Sequence, residues 1–157
     1  MQLRPLVTAA AVLALAAPLS SCGFDYATDR DYTPGSGANN RDGDVDVLSA
    51  VVVSAAEGSG TFIASLSNND RSEEQSFTGI AGAEGTTVEV AEFEPVTVPA
   101  GGLVNLAEPA ADIVLTGDFK AGDFVPLAID FGNGERITLN VPVVADDTGY
   151  WEGMDAS

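Results

Sequence analysis

The sequence contains no histidine and a single cysteine, Cys22. One thiol cannot form an intramolecular disulfide, whatever the redox state of the compartment. Zinc sites built from Cys and His are excluded, as are Ser and Cys nucleophiles activated by an imidazole. Cations are also scarce: 6 Lys and Arg stand against 24 Asp and Glu, a formal net charge of −18. A surface of that sign repels phosphate backbones and anionic headgroups, so nucleic acid is not an expected partner. There are only 2 methionines. The one long apolar run, from Leu6 to Ala17, is too short to cross a bilayer as a helix.

That run reads as the core of a secretory leader, with Arg4 as its short positive region and Pro18 as its breaker. The residues that follow, Leu19-Ser20-Ser21-Cys22, are an aliphatic residue, two small ones and a cysteine, and they resemble the lipobox of bacterial lipoproteins. The resemblance implies cleavage before Cys22 and lipidation of its thiol with a diacylglyceryl group and palmitate-type chains. The chain would then be held on the extracytoplasmic face of the cell membrane. Each buried lipid CH₂ contributes about 0.8 kcal/mol, so two or three chains would hold it firmly. All the acidic residues follow the cleavage point, and losing Arg4 makes the remainder one unit more negative.

Composition then divides the chain into residues 1–21, a signal peptide; 22–44, the lipidated cysteine and a flexible linker; 45–145, a folded domain; and 146–157, a tail. The linker is rich in Gly and Asp with some Asn and Thr, and Pro34-Gly35-Ser36-Gly37 and Asn39-Asn40 are its breakers. A coil of about 20 such residues spans roughly 25 Å, enough to clear a headgroup layer. Beyond it, alternation of period two predicts strands. Phe62, Ala64 and Leu66 share one face, as do Val88 and Val90, Val96 and Val98, the series Val125, Leu127, Ile129 and Phe131, and the series Ile137, Leu139, Val141 and Val143. Gly132-Asn133-Gly134 predicts a two-residue hairpin turn between the last two. Turns are also expected at Glu57–Gly60, Asn68–Asp70, Pro99–Gly102 and Lys120–Asp123. Together these predict an all-β, antiparallel Greek-key β-sandwich, cupredoxin-like or immunoglobulin-like, with a fraying tail whose Tyr150 and Trp151 could cover an edge.

The order of features from Thr61 to Val144 resembles the periplasmic copper chaperone family PCu(A)C. The resemblance lies in Thr61–Asn68, in Val96–Leu106 with its Val98-Pro99-Ala100-Gly101-Gly102, in Lys120-Ala121-Gly122-Asp123, and in Val125-Pro126-Leu127 leading to Val141-Pro142-Val143. It implies a cupredoxin-like sandwich. In that family cuprous ion is held by histidines and methionines, and the matching positions here are Ala91, Asp112 and Val114. These offer one hard oxygen to a soft ion, so the resemblance implies the fold and no metal ligand.

Other constellations are weaker. Asp42, Asp44 and Asp46 begin like a calcium loop, but Val47 and Val53 stand where its glycine and final glutamate belong. Asn68, Asn69, Asp70, Glu73 and Glu74 form a second oxygen-rich loop. Asp146-Asp147, adjacent in a tail, cannot oppose each other across a cleft as hydrolytic carboxylates must. The expectation is a non-catalytic, lipid-anchored domain without cofactor, bound to the membrane through its lipid and to another envelope protein through its sandwich. The alternative is a copper chaperone with a degenerate site.

Overall fold

The computed structural model describes residues 37–147 and 149–157; the leader, Cys22 and the linker up to residue 36 lie outside the described residues. The ten strands are β1 (Ala38–Asn40), β2 (Val45–Ser54), β3 (Ser59–Asn68), β4 (Gln75–Gly82), β5 (Val88–Val90), β6 (Val96–Val98), β7 (Leu103–Asn105), β8 (Ile113–Gly117), β9 (Phe124–Phe131) and β10 (Arg136–Ala145). They pair in the order β5-β8-β3-β2-β10-β9-β4-β6, with β1 on β2 and β7 on β3. The result is one sheet curled into the two layers of a sandwich. The described residues form one compact unit that contains every described strand and the buried core, as an independently folding domain must.

β10 joins the layers. Arg136–Pro142 pair antiparallel with β9, and Val143–Ala145 pair with Val52–Ser54 of β2 in parallel. Among the described residues this parallel pair is the one departure from the antiparallel ladders expected. Alternation of side chains is the same in both orientations, so periodicity carries no information about strand direction.

The inward faces of both layers close on one core. Phe62, Leu66, Phe77, Leu115, Leu127, Ile129 and Val141 are at most 1% exposed. Burying each such side chain contributes about 1.5–3 kcal/mol. β2 keeps its inward face across a bulge at Ser49, which has φ 52° and donates its N–H to Asn39 Oδ1 at 2.9 Å. Val45 and Val47 point inward before the bulge, and Ala50 and Val52 after it. One extra residue shifts the parity of the strand.

Three regions differ from the sequence reading. Within the stretch read as linker, Ala38–Asn40 forms β1 and pairs with β2. The hairpin after Phe131 has three loop residues: Gly134 donates to the Phe131 carbonyl at 3.0 Å, and the Phe131 N–H donates to Glu135 at 2.9 Å. Only Gly134, at φ 87°, takes a positive angle, so the turn ends in a glycine bulge in place of the two-residue turn that needs two such angles.

The tail does not fray over 149–157. A 3-10 turn at Gly149–Trp151 brings Trp151 and Met154 onto Val51, Val53 and Ile63, on the outer face of β2 and β3. The Asp155 carboxylate accepts hydrogen bonds from the Ala55 N–H at 2.7 Å and the Thr61 hydroxyl at 2.9 Å. Val51-Val52-Val53 is apolar at every residue because both faces of β2 are covered there.

Candidate binding cleft

The open side of the sandwich lies between β5, an edge of one layer, and β6, an edge of the other. Residues 91–95 carry the chain across it. Ala91 still belongs to the ladder, donating its N–H to the Val114 carbonyl at 3.0 Å. Phe93 then turns inward and stacks on Phe77, with ring centroids 5.1 Å apart and planes at 26°. An offset pair of this kind adds about 0.5–1.5 kcal/mol beyond area burial and fixes the crossing. The alternation that puts Phe93 inward puts Glu92 and Glu94 outward, where both are exposed.

The facing wall is β7 and the loop 106–112. Leu106 is 2% exposed and donates its N–H to the Ala64 carbonyl at 2.9 Å, while Ala111 closes the loop by donating to the Leu106 carbonyl at 2.9 Å. Asp112 ends the loop with φ 49°, a left-handed conformation that Asp and Asn tolerate better than most residues. Between the walls is an open cleft of about 500 Å³. Its apolar part includes Phe93, Pro95, Val96, Val104 and Leu106, and its acidic side chains are Glu92, Glu94 and Asp112. A second shallow hollow, with Thr78, Ile80 and Val90, lies against residues 91–94 as well.

The three positions matched to copper ligands therefore come together. Ala91, just past the end of β5, donates its N–H to Val114 on β8, and Asp112 lies two residues before Val114. They present a methyl group, a half-buried isopropyl group and one exposed carboxylate. Among the described residues no group of three or more Cys, Asp or Glu is placed to hold a metal ion.

The other candidates are dispersed. Asp44 accepts from Asn133 Nδ2 at 3.1 Å and Asp46 from Asn69 Nδ2 at 2.7 Å, while Asp42 is tied through its N–H to Asn40 Oδ1. Asp70 accepts from the Ser72 hydroxyl and N–H, both at 2.7 Å, and these bonds hold its carboxyl below the usual carboxylate range. Asp146 accepts the Met154 N–H at 2.9 Å and so fastens the tail. Arg136 clamps Asp130 through Nε at 2.6 Å and Nη2 at 2.9 Å, which lowers the Asp130 pKa. This is the one ion pair among the described residues. Cys22 lies outside them. Sequence reasoning missed the crossing Glu92-Phe93-Glu94-Pro95. Its signal was an aromatic residue between two like charges and a proline, where a strand ladder should stop.

The architecture is a cupredoxin-like all-β sandwich with a carboxylate-flanked cleft at the crossover between its edge strands. Among solved structures it is similar to PCuAC domains. The copper-bound PCuAC domain from PmoF2 aligns with TM-score 0.54 and 16% identity, over 68% of this chain and 97% of that one. The apo PCuAC domain from PmoF1 gives 0.52 and 15%, over 68% and 98%. The apo PmoF2 domain gives 0.53 and 15%, over 71% and 97%. The chain thus has a PCuAC-like fold, and at such identities the likeness is one of fold alone. No protein-family profile matches the sequence, and no curated protein does.

Proposed function

We propose that the chain is a lipid-anchored, extracytoplasmic lipoprotein whose PCuAC-like sandwich is a non-catalytic binding module for another envelope protein. The observation that carries this reading is the cleft beside Ala91, Asp112 and Val114, which offers apolar surface and carboxylates in place of soft donors. Cuprous ion prefers sulfur and imidazole, and a single exposed carboxylate is a poor substitute. The leader, the Leu19-Ser20-Ser21-Cys22 box and the polar linker support the anchored placement.

The test is a titration of a fragment spanning residues 23–157 with cuprous ion against a competing chelator. The expected result is no uptake beyond the chelator. Stoichiometric binding would overturn the reading in favour of copper delivery, the function suggested by likeness to a copper-bound PCuAC domain. Anchoring is tested by Cys22→Ser, which should move the protein from the membrane fraction to the soluble one and abolish labelling by a palmitate analogue.

A further inference from the structure

We infer that the cleft binds an extended, basic segment of a partner protein, added as a short strand along Glu92–Glu94. The inference rests on the binding-module reading above and names its ligand. Two independent features lead to it.

The first is an unused backbone. β5 ends at Val90 and β6 begins at Val96, and the Ala91 N–H is the last in the crossing to be bonded to a neighbour. Among the described residues, the N–H and C=O groups of Glu92, Phe93 and Glu94 have no protein partner, although Phe93 is pinned by its stack on Phe77. An edge that is held in place but unpaired is what strand addition requires. Main-chain hydrogen bonds then supply affinity, and pockets for alternate side chains supply specificity.

The second is the chemistry beside that edge. A strand laid along it would direct every other side chain toward the cleft formed with Val104 and Leu106. Between those side chains it would meet Glu92, Glu94 and Asp112, none of them in an ion pair. Apolar residues alternating with Lys or Arg satisfy both requirements. An acidic segment would be repelled, and the net charge of −18 extends that repulsion beyond contact distance.

The probe is a blocked heptapeptide alternating lysine and valine, titrated by calorimetry into the fragment spanning residues 23–157. Saturable 1:1 binding is expected, with slowed hydrogen exchange at the Glu92, Phe93 and Glu94 amides. Replacing the lysines by glutamates, or the valines by glycines, should abolish it. The triple variant Glu92→Gln, Glu94→Gln, Asp112→Asn should weaken binding about tenfold or more, and the left-handed conformation at 112 suits Asn. Removing equal charge elsewhere, with Glu57→Gln, Asp118→Asn and Asp147→Asn, should weaken affinity far less than the cleft variant does.

Equal weakening by both triple variants would reduce the effect to general electrostatics and overturn the inference, as would unprotected amides at 92–94. The binding-module reading fails separately, on the cuprous titration. A membrane partner captured equally by wild type and the cleft variant would overturn this inference and leave that reading standing.

Discussion

Asn68 shows how far a side chain's role can lie from its sequence appearance. In the run Asn68-Asn69-Asp70 with Glu73 and Glu74, it reads as part of an oxygen-rich loop suited to a cation. In the fold it is 3% exposed, donates to the Glu73 and Val98 carbonyls at 2.8 and 3.3 Å, and accepts the Asp70 N–H at 2.9 Å. Composition gives the donors and acceptors of a loop but not which of them face each other. Asn68→Ala leaves these groups unpaired and should cost about 2–3 kcal/mol in urea unfolding. Asp155 is the counterpart in the tail. Burial pushes its carboxyl upward, but hydrogen bonds from the Ala55 and Ser157 N–H groups and the Ser157 and Thr61 hydroxyls outweigh that, so its pKa lies below the ordinary value. A depressed folded pKa gives stability that is present above the unfolded value of about 3.9 and lost as pH falls through the folded one. Asp155→Asn should therefore be less stable than wild type at pH 7, and the gap should close below about pH 4 in denaturation series.

Strands of clear alternation were legible in the sequence: β3, β5, β6, β9 and β10 fall where the periodicity places them. Those without it were not. β4 contains Gly79 and Gly82, which interrupt its pattern, and β1 is three residues inside a polar, breaker-rich stretch. β2 was obscured by its bulge and by apolar side chains on both faces. The tail, expected to fray with Tyr150 and Trp151 at an edge, instead covers the outer face of β2 and β3, and its own sequence has no period because its contacts run through Trp151, Met154 and Asp155. Ending the chain after Asp147 uncovers Val51, Val53 and Ile63. It should cost about 2–4 kcal/mol and raise binding of a hydrophobic dye. Gly60 tests the close approach of β2 and β3. A Cβ there would stand 2.7 Å from both Val52 Cγ1 and the Val53 carbonyl oxygen, so Gly60→Ala should cost about 2 kcal/mol or more by thermal denaturation.

At the scale of the molecule, the sandwich was legible as a class and the cleft only in part. Ala91, Asp112 and Val114 lead through resemblance to the end of the fold where the cleft lies, whereas the cleft itself arises from the crossing between layers, which no local pattern encodes. Charge belongs to this scale too. With 24 acidic residues and one ion pair among the described residues, repulsion is spread over the surface and opposes compaction. Adding about 0.5 M sodium chloride should raise the Tm, since screening shortens the reach of that repulsion to a few Å. The parallel join of β2 and β10 bears on force. A pull applied ahead of β1 and taken up beyond β10 would draw these two strands in opposite directions along their length. Their hydrogen bonds at Val143–Ala145 would then share the load in shear and would not open one at a time like a zip. A domain pulled along that line would yield last where its two layers are stitched.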